Sequence, residues 1–181
     1  MIKGEKIYLT ELDFANAETI RGWLNDPEVY KYLLVGHTPL TKEEERRYYE
    51  ANAAGSPNTQ NFEIHVAEDG RYIGNIGLKD IHPVRRHAEL GIAIGSKQDW
   101  GKGYGYDAIV TCLRYAFDTR GLHTVMISAH ADHARGLDLY RRVGFTEVGR
   151  ERESIFREGR FLDLVLLDMT EGEFRERYGA A

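Results

Sequence analysis

Apolar and polar positions in the first half of the chain switch between a period of two and one near 3.6. Lys6 to Asp13 alternates Ile7 and Leu9 with polar neighbours, which predicts a strand. From Ala15 to Leu34 the positions of Ile20, Trp23 and Leu24 follow helical spacing. Asn25-Asp26-Pro27 interrupts it, so two short helices are expected. Thr41 fits an N-cap, with Glu43, Glu44 and Glu45 in the first turn of a third helix, where the dipole favours anions. Ala54-Gly-Ser-Pro-Asn-Thr-Gln60 reads as a surface loop. Asn61 to Glu68 and Arg71 to Leu78 are strand-like and meet at Asp69-Gly70, a strong hairpin signal.

His87 to Gly95 is a further expected strand, with Leu90, Ile92 and Ile94 on a core face and Glu89, Gly91 and Ala93 on the other. A glycine-rich turn then opens the clearest helix, whose stripe is Ile109, Cys112, Leu113, Ala116 and Phe117. Gly121 is placed to end it. Thr124 to Ala129 predicts a strand, and Ala134 to Val143 a helix ended by Gly144. Thr146 to Ser154 and Arg160 to Met169 predict strands around a turn at Glu158-Gly159. The order implies an α/β domain, a mixed sheet covered by helices.

Length and composition narrow this further. The 181 residues suit one domain, 1–181, and no stretch has the character of a linker or repeat. With 42% hydrophobic and 29% charged residues a packed core is expected, and one cysteine cannot build a disulfide scaffold. Apolar runs such as Leu164 to Leu167 fall far short of the ~20 residues that span a bilayer, so no membrane partner is expected. Met1-Ile-Lys-Gly-Glu-Lys lacks the apolar stretch of a signal peptide, and a soluble, cytoplasmic protein is the expectation. A net charge of −5 argues against nucleic acid and suits a small cationic substrate.

The candidate chemistry centres on Gln98-Asp-Trp-Gly101-Lys-Gly103-Tyr-Gly105, between a strand and a helix. Glycines let a backbone approach a ligand closely, and a helix start offers free N–H groups to a phosphate. On spacing alone a plain strand-to-helix turn accounts for the glycines equally well. A P-loop is excluded because Gly103 follows Lys102, and the dinucleotide fingerprint because Gly101, Gly103 and Gly105 are spaced differently.

These residues resemble the GNAT superfamily of acetyl-CoA-dependent N-acetyltransferases. Gln98, Gly101 and Gly103 match its Gln/Arg-x-x-Gly-x-Gly/Ala signature, and Leu139-Tyr140-Arg-Arg-Val-Gly144-Phe145 matches a second one. Trp23-Leu-Asn-Asp-Pro-Glu28, Trp100-Gly-Lys-Gly-Tyr104 and Phe156-Arg-Glu-Gly-Arg160 resemble the branch of ribosomal-protein N-terminal and spermidine N-acetyltransferases. The resemblance implies the GNAT fold, a mixed, mostly antiparallel central sheet of about seven strands flanked by helices. It implies acetyl-CoA as cosubstrate, a small amine or peptide N-terminus as acceptor, and a possible homodimer. Pantetheine would then run along Ile92, Ala93 and Ile94. Gln98, Trp100, Gly101, Lys102, Gly103, Tyr104 and Gly105 would form the cofactor-binding turn, with His133 and Arg135 also binding the cofactor. His133 stands where the family's asparagine is usual, seven residues before the tyrosine. Tyr140 would protonate or stabilise the leaving thiolate, and Glu89 would serve as general base.

Plainer readings stand beside these. Tyr140 shares a helical stripe with Leu137 and Gly144 and could be a core tyrosine; Glu89 could be a solvated strand residue. His130-Ala-Asp132-His133 has metal-like spacing, but no cysteine or third ligand is near in sequence, so no metal is expected. Cys112 falls on an apolar stripe and reads as packing. Trp23, Tyr30, Tyr32, Tyr48 and Tyr49 come from the region expected to cover the acceptor cleft. A non-catalytic acyl-CoA sensor is the competing class of function.

Overall fold

The computed structural model describes residues 1–33, 39–53 and 56–179. Leu34, at the end of the second expected helix, and Ala54 and Gly55, at the start of the expected loop, lie outside the described residues.

Among the described residues eight strands form a single sheet: β1 (Ile2–Lys3), β2 (Ile7–Thr10), β3 (Gln60–Val66), β4 (Tyr72–His82), β5 (His87–Ile94), β6 (Thr124–His130), β7 (Thr146–Arg157) and β8 (Arg160–Thr170). Their order is β1-β2-β3-β4-β5-β6-β8-β7, and only β5 and β6 run parallel. The strand beyond the expected seven or so is β1, whose two residues pair with Tyr8 and Leu9 and are too short to show a period. The helices are α1 (Ala17–Leu24), α2 (Pro27–Tyr30), α3 (Lys42–Ala53), α4 (Tyr104–Arg114), α5 (Ala134–Val143) and α6 (Glu171–Tyr178).

Most local signals act as expected. Thr41 begins α3 in a capping box with Glu44, whose carboxylate accepts from the Thr41 N–H at 2.8 Å while Thr41 Oγ1 accepts from the Glu44 N–H at 3.2 Å. Asp26 caps α2, and Pro27 takes its first position. Gly144, at φ 113°, closes α5 in the left-handed conformation. The stripe Ile109, Cys112, Leu113, Ala116 and Phe117 is buried against the sheet, Phe117 lying in a π-helical turn, Tyr115–Thr119, that continues α4. Among the described residues no helix is long and apolar enough to cross a membrane.

One irregularity positions the site. Strand β5 stays paired with β4 as far as Ile94, but its pairing with β6 covers only His87 to Glu89. Beyond Glu89 the two parallel strands part, so the β5 edge from Leu90 to Ile94 has no strand on that side. A V-shaped opening results in the middle of an otherwise continuous sheet.

Candidate active site

Glu89 stands where the opening begins. Ser128 on β6 donates to Glu89 Oε1 at 3.1 Å, and Lys79 Nζ lies 3.2 Å from Oε2. The carboxylate is therefore fixed from two sides, and its side chain is 28% exposed. That is neither a fully solvated strand residue nor a buried one. Neither Ser128 nor Lys79 could be read from the sequence, because each reaches Glu89 only through strand register.

A cleft of about 580 Å³ runs from Glu89 along Leu90 to Ile94, bounded across the opening by Ile127 to Ala129 and on one flank by α5. Tyr140 lines the same cleft, 8% exposed. Burial alone pushes its hydroxyl up to about 12, so it stays protonated at physiological pH. Tyr140 is thus both a core residue and a cleft residue.

The turn after β5 begins with a 3-10 segment, Lys97–Asp99. Asp99 is buried, accepting from Ser96 Oγ at 2.6 Å, Arg71 Nη1 at 2.7 Å and Lys102 Nζ at 3.0 Å. Burial works to raise its pKa, yet Ser96, Lys102 and Arg71 together hold it below the usual carboxylate value. This network anchors Gly101 and Gly103, which take φ of +80° and +89°. Gly103 is the N-cap of α4 and supplies no side-chain cap, so the first N–H groups of the helix point out unshielded. Trp100 Nε1 donates to the Ile94 carbonyl at 2.7 Å, joining the turn to the strand edge. The Arg135 guanidinium lies 4.7 Å from the centre of the Trp100 ring.

A second cavity, of about 1160 Å³, lies over the turn and the outer face of α4. It includes Trp100, Gly101, Gly103, Tyr104 and Gly105, and meets the first cleft at Ile94, Trp100, Gly105, Arg135 and Leu139. Lys3, Lys6, Arg114, Arg135, Arg142 and Arg177 line it, and none of them forms a salt bridge to a described residue. The two cavities form one path, smaller beside β5 and richer in cations beyond the turn.

Among the residues expected to bind a cofactor, Ile92, Ala93, Ile94, Trp100, Gly101, Gly103, Tyr104, Gly105, His133 and Arg135 line this path. Gln98 and Lys102 do not; Gln98 is exposed on the 3-10 segment, and Lys102 turns to Asp99. His133 stacks on Tyr32, ring centres 4.0 Å apart, and its ring occupies the space a side chain at Gly136 would need. Burial first, then the charges of His130 and Arg135, lowers its pKa to about 4, so it is neutral at physiological pH. Asp132 pairs with Arg160 at 3.1 Å, and no group of three or more His, Cys, Asp or Glu among the described residues is arranged to hold a metal ion. Of the five aromatic residues expected near the acceptor cleft, only Tyr32 lines it. Tyr49 is buried beneath α1, and Trp23 packs on Tyr72 and the backbone of Gly95.

Comparison with known proteins bears on the family and the fold. The acetyltransferase (GNAT) domain family matches residues 6–146. An uncharacterized N-acetyltransferase p20 of Bacillus licheniformis is 25% identical over 175 residues, covering 94% of this chain and 96% of that protein. The ribosomal protein uS5-alanine N-acetyltransferase of Escherichia coli (strain K12) is 32% identical over 110 residues, 60% of this chain and 56% of that one. Among solved structures, spermidine N-acetyltransferase from Vibrio cholerae in complex with CoA and spermine shares the fold with a TM-score of 0.86 at 22% identity, covering 93% of this chain and 98% of that one. A family match across most of the chain, on a sheet split beside a glycine turn, has one reading: the chain belongs to the GNAT family of acetyltransferases.

Proposed function

We propose that the protein transfers an acetyl group from acetyl-CoA directly to a primary amine, with both substrates held together in the split between β5 and β6. The observation that carries this is the convergence of Glu89 and Tyr140 on one cleft whose floor is an unpaired strand edge. The pantetheine arm would pair with those backbone groups between Leu90 and Ala93 that face the opening, as a further strand does. The pyrophosphate would meet the first N–H groups of α4, and the cationic cavity beyond would take the rest of the CoA phosphates.

An amine resembling lysine, with pKa ~10.4, is almost wholly protonated at neutral pH and cannot attack. Glu89, held by Ser128 and Lys79, accepts that proton directly or through one water. The neutral nitrogen then bonds to the thioester carbonyl carbon, the carbon–sulfur bond breaks, CoA leaves as thiolate, and the extra proton on the new amide nitrogen passes to solvent or to that thiolate. Tyr140 donates a hydrogen bond to the sulfur as charge develops. Its hydroxyl, pushed up to about 12, lies well above the ~8.5 of a thiol, so stabilising the thiolate is its main contribution rather than outright proton transfer.

The acceptor is a polyamine, another small amine or a protein N-terminus. The relatives support both kinds: one solved structure holds spermine, and another relative is named for the alanine of ribosomal protein uS5. Glu28, Glu89 and Asp132 line the cleft, which suits a cationic acceptor, although Lys97, Lys79 and Arg160 already pair with them. The test is thiol release from acetyl-CoA with a panel of polyamines, small amines and N-terminal peptides. Turnover with any of them is expected. Acetyl-CoA binding without turnover across the panel would instead support a sensor.

A further inference from the structure

The wall of the cleft facing the β5 edge is made by a short segment, with Glu28, Val29, Tyr32 and Leu33 as its lining. That segment is weakly anchored by its own packing, since α2 has four residues and buries only Val29. The carbonyls at the end of so short a helix lack intrahelical partners. The Leu33 N–H reaches the Tyr30 carbonyl at 2.9 Å, and a side chain from β7 supplies further donors to this segment. Arg157 Nη1 donates to the carbonyl oxygens of Tyr30, at 3.0 Å, and of Lys31, and Nη2 donates to that of Leu33 at 2.5 Å.

The setting of Arg157 is unusual. Strand β7 is an edge strand, and Arg157 is the one buried residue among its twelve. Burying a guanidinium is costly unless its donors are satisfied, and here both Nη groups are turned onto backbone carbonyls. Tyr32, carried by the clasped segment, stacks on His133 and meets the His130 ring edge-on at 6.3 Å. His133 lies against the first turn of α5, the helix that bears Tyr140. Three residues further along the hairpin, Arg160 holds Asp132 on the same cleft.

We propose that Arg157 is a positioning residue for the acceptor side of the cleft, setting the wall formed by Val29, Tyr32 and Leu33 by holding the carbonyls of Tyr30, Lys31 and Leu33. This rests on the acetyl-transfer reading, because the wall matters only if an acceptor binds against it. A planar fork with five donors can reach several carbonyls spread over one turn, and a lysine ammonium reproduces that only in part.

The test compares wild type, Arg157→Met and Arg157→Lys by steady-state kinetics and by hydrogen exchange of the Tyr30 to Leu33 amides. The Met variant is expected to raise the acceptor KM about tenfold or more, within the ~10²-fold that a misplacement of 1 Å can cost, while the acetyl-CoA KM stays within about twofold. Amide exchange should accelerate in this segment and not in β5 or α4, and the Lys variant should fall between the other two. Equal effects on both KM values, or no change in acceptor KM and local exchange, would overturn the proposal. If Arg157→Met does not fold, the same comparisons on Arg157→Lys decide. If wild type turns over no acceptor, the acetyl-transfer reading fails, and unchanged exchange in the variants would separately remove the clasp.

Discussion

Tyr140 packs in the core and also lines the cleft, and that double place makes it testable. Tyr140→Phe keeps the ring packed against Phe145 and should leave CoA affinity by calorimetry nearly unchanged. Turnover should fall by about 10²-fold, at the lower end of what a positioned donor contributes. Wild-type turnover in this variant would reduce Tyr140 to packing. Glu89→Gln removes the base while its neighbours Ser128 and Lys79 remain. Its rate loss should be large at neutral pH and shrink as pH rises toward ~10, because free amine then no longer needs a base. A pH–rate profile with the same loss throughout would assign Glu89 to binding. Both residues line the cleft, and the sequence singled out each, one by its motif and one by its place in the strand before the glycine turn. Their partners were not. Ser128 is 39 residues from Glu89, and Arg157 more than 120 from the carbonyls it holds, so no local pattern encodes either contact.

Elements were legible in proportion to the strength of their local signals. Helix α5 runs from Ala134 to Val143 as predicted, its C-terminal end marked in the sequence by Gly144. Strands β4 and β7 run past their predicted ends, since cross-strand pairing continues where the alternation has faded. Helix α6 gave no apolar stripe to find: Phe174 is its only buried residue. Thr170 and Glu173 nevertheless form a capping box there, and Tyr178 donates to the Val143 carbonyl at 2.8 Å, bracing the end of α5. At the start of α4 the decisive residue is Gly103, whose φ of +89° suits glycine and whose missing side chain leaves the helix start open. Gly103→Val should cost ~1–2 kcal/mol of backbone strain. The larger effect is on CoA, whose affinity by calorimetry should drop sharply while the circular dichroism of the fold persists. Unchanged affinity would move the phosphates elsewhere.

On the scale of the whole molecule, the parting of β5 from β6 couples the fold to its chemistry. Seven of the eight strands were visible as alternating or apolar runs, but the split was not. It depends on where the parallel pairing stops, and the spacing of residues in one strand carries no record of its neighbour. No cysteine lines the cleft in that split among the described residues. The one cysteine, Cys112, is fully buried in the core, where burial pushes its thiol up to about 12. It cannot serve as a thiolate nucleophile for the acetyl group. The central claim, that amine and acetyl-CoA meet in one ternary complex, is therefore tested most directly by initial rates with both substrates varied. Double-reciprocal lines that intersect, with no acetylated protein seen by mass spectrometry after acetyl-CoA alone, are the expected result. Parallel lines together with a stoichiometric acetyl adduct on the protein would contradict it.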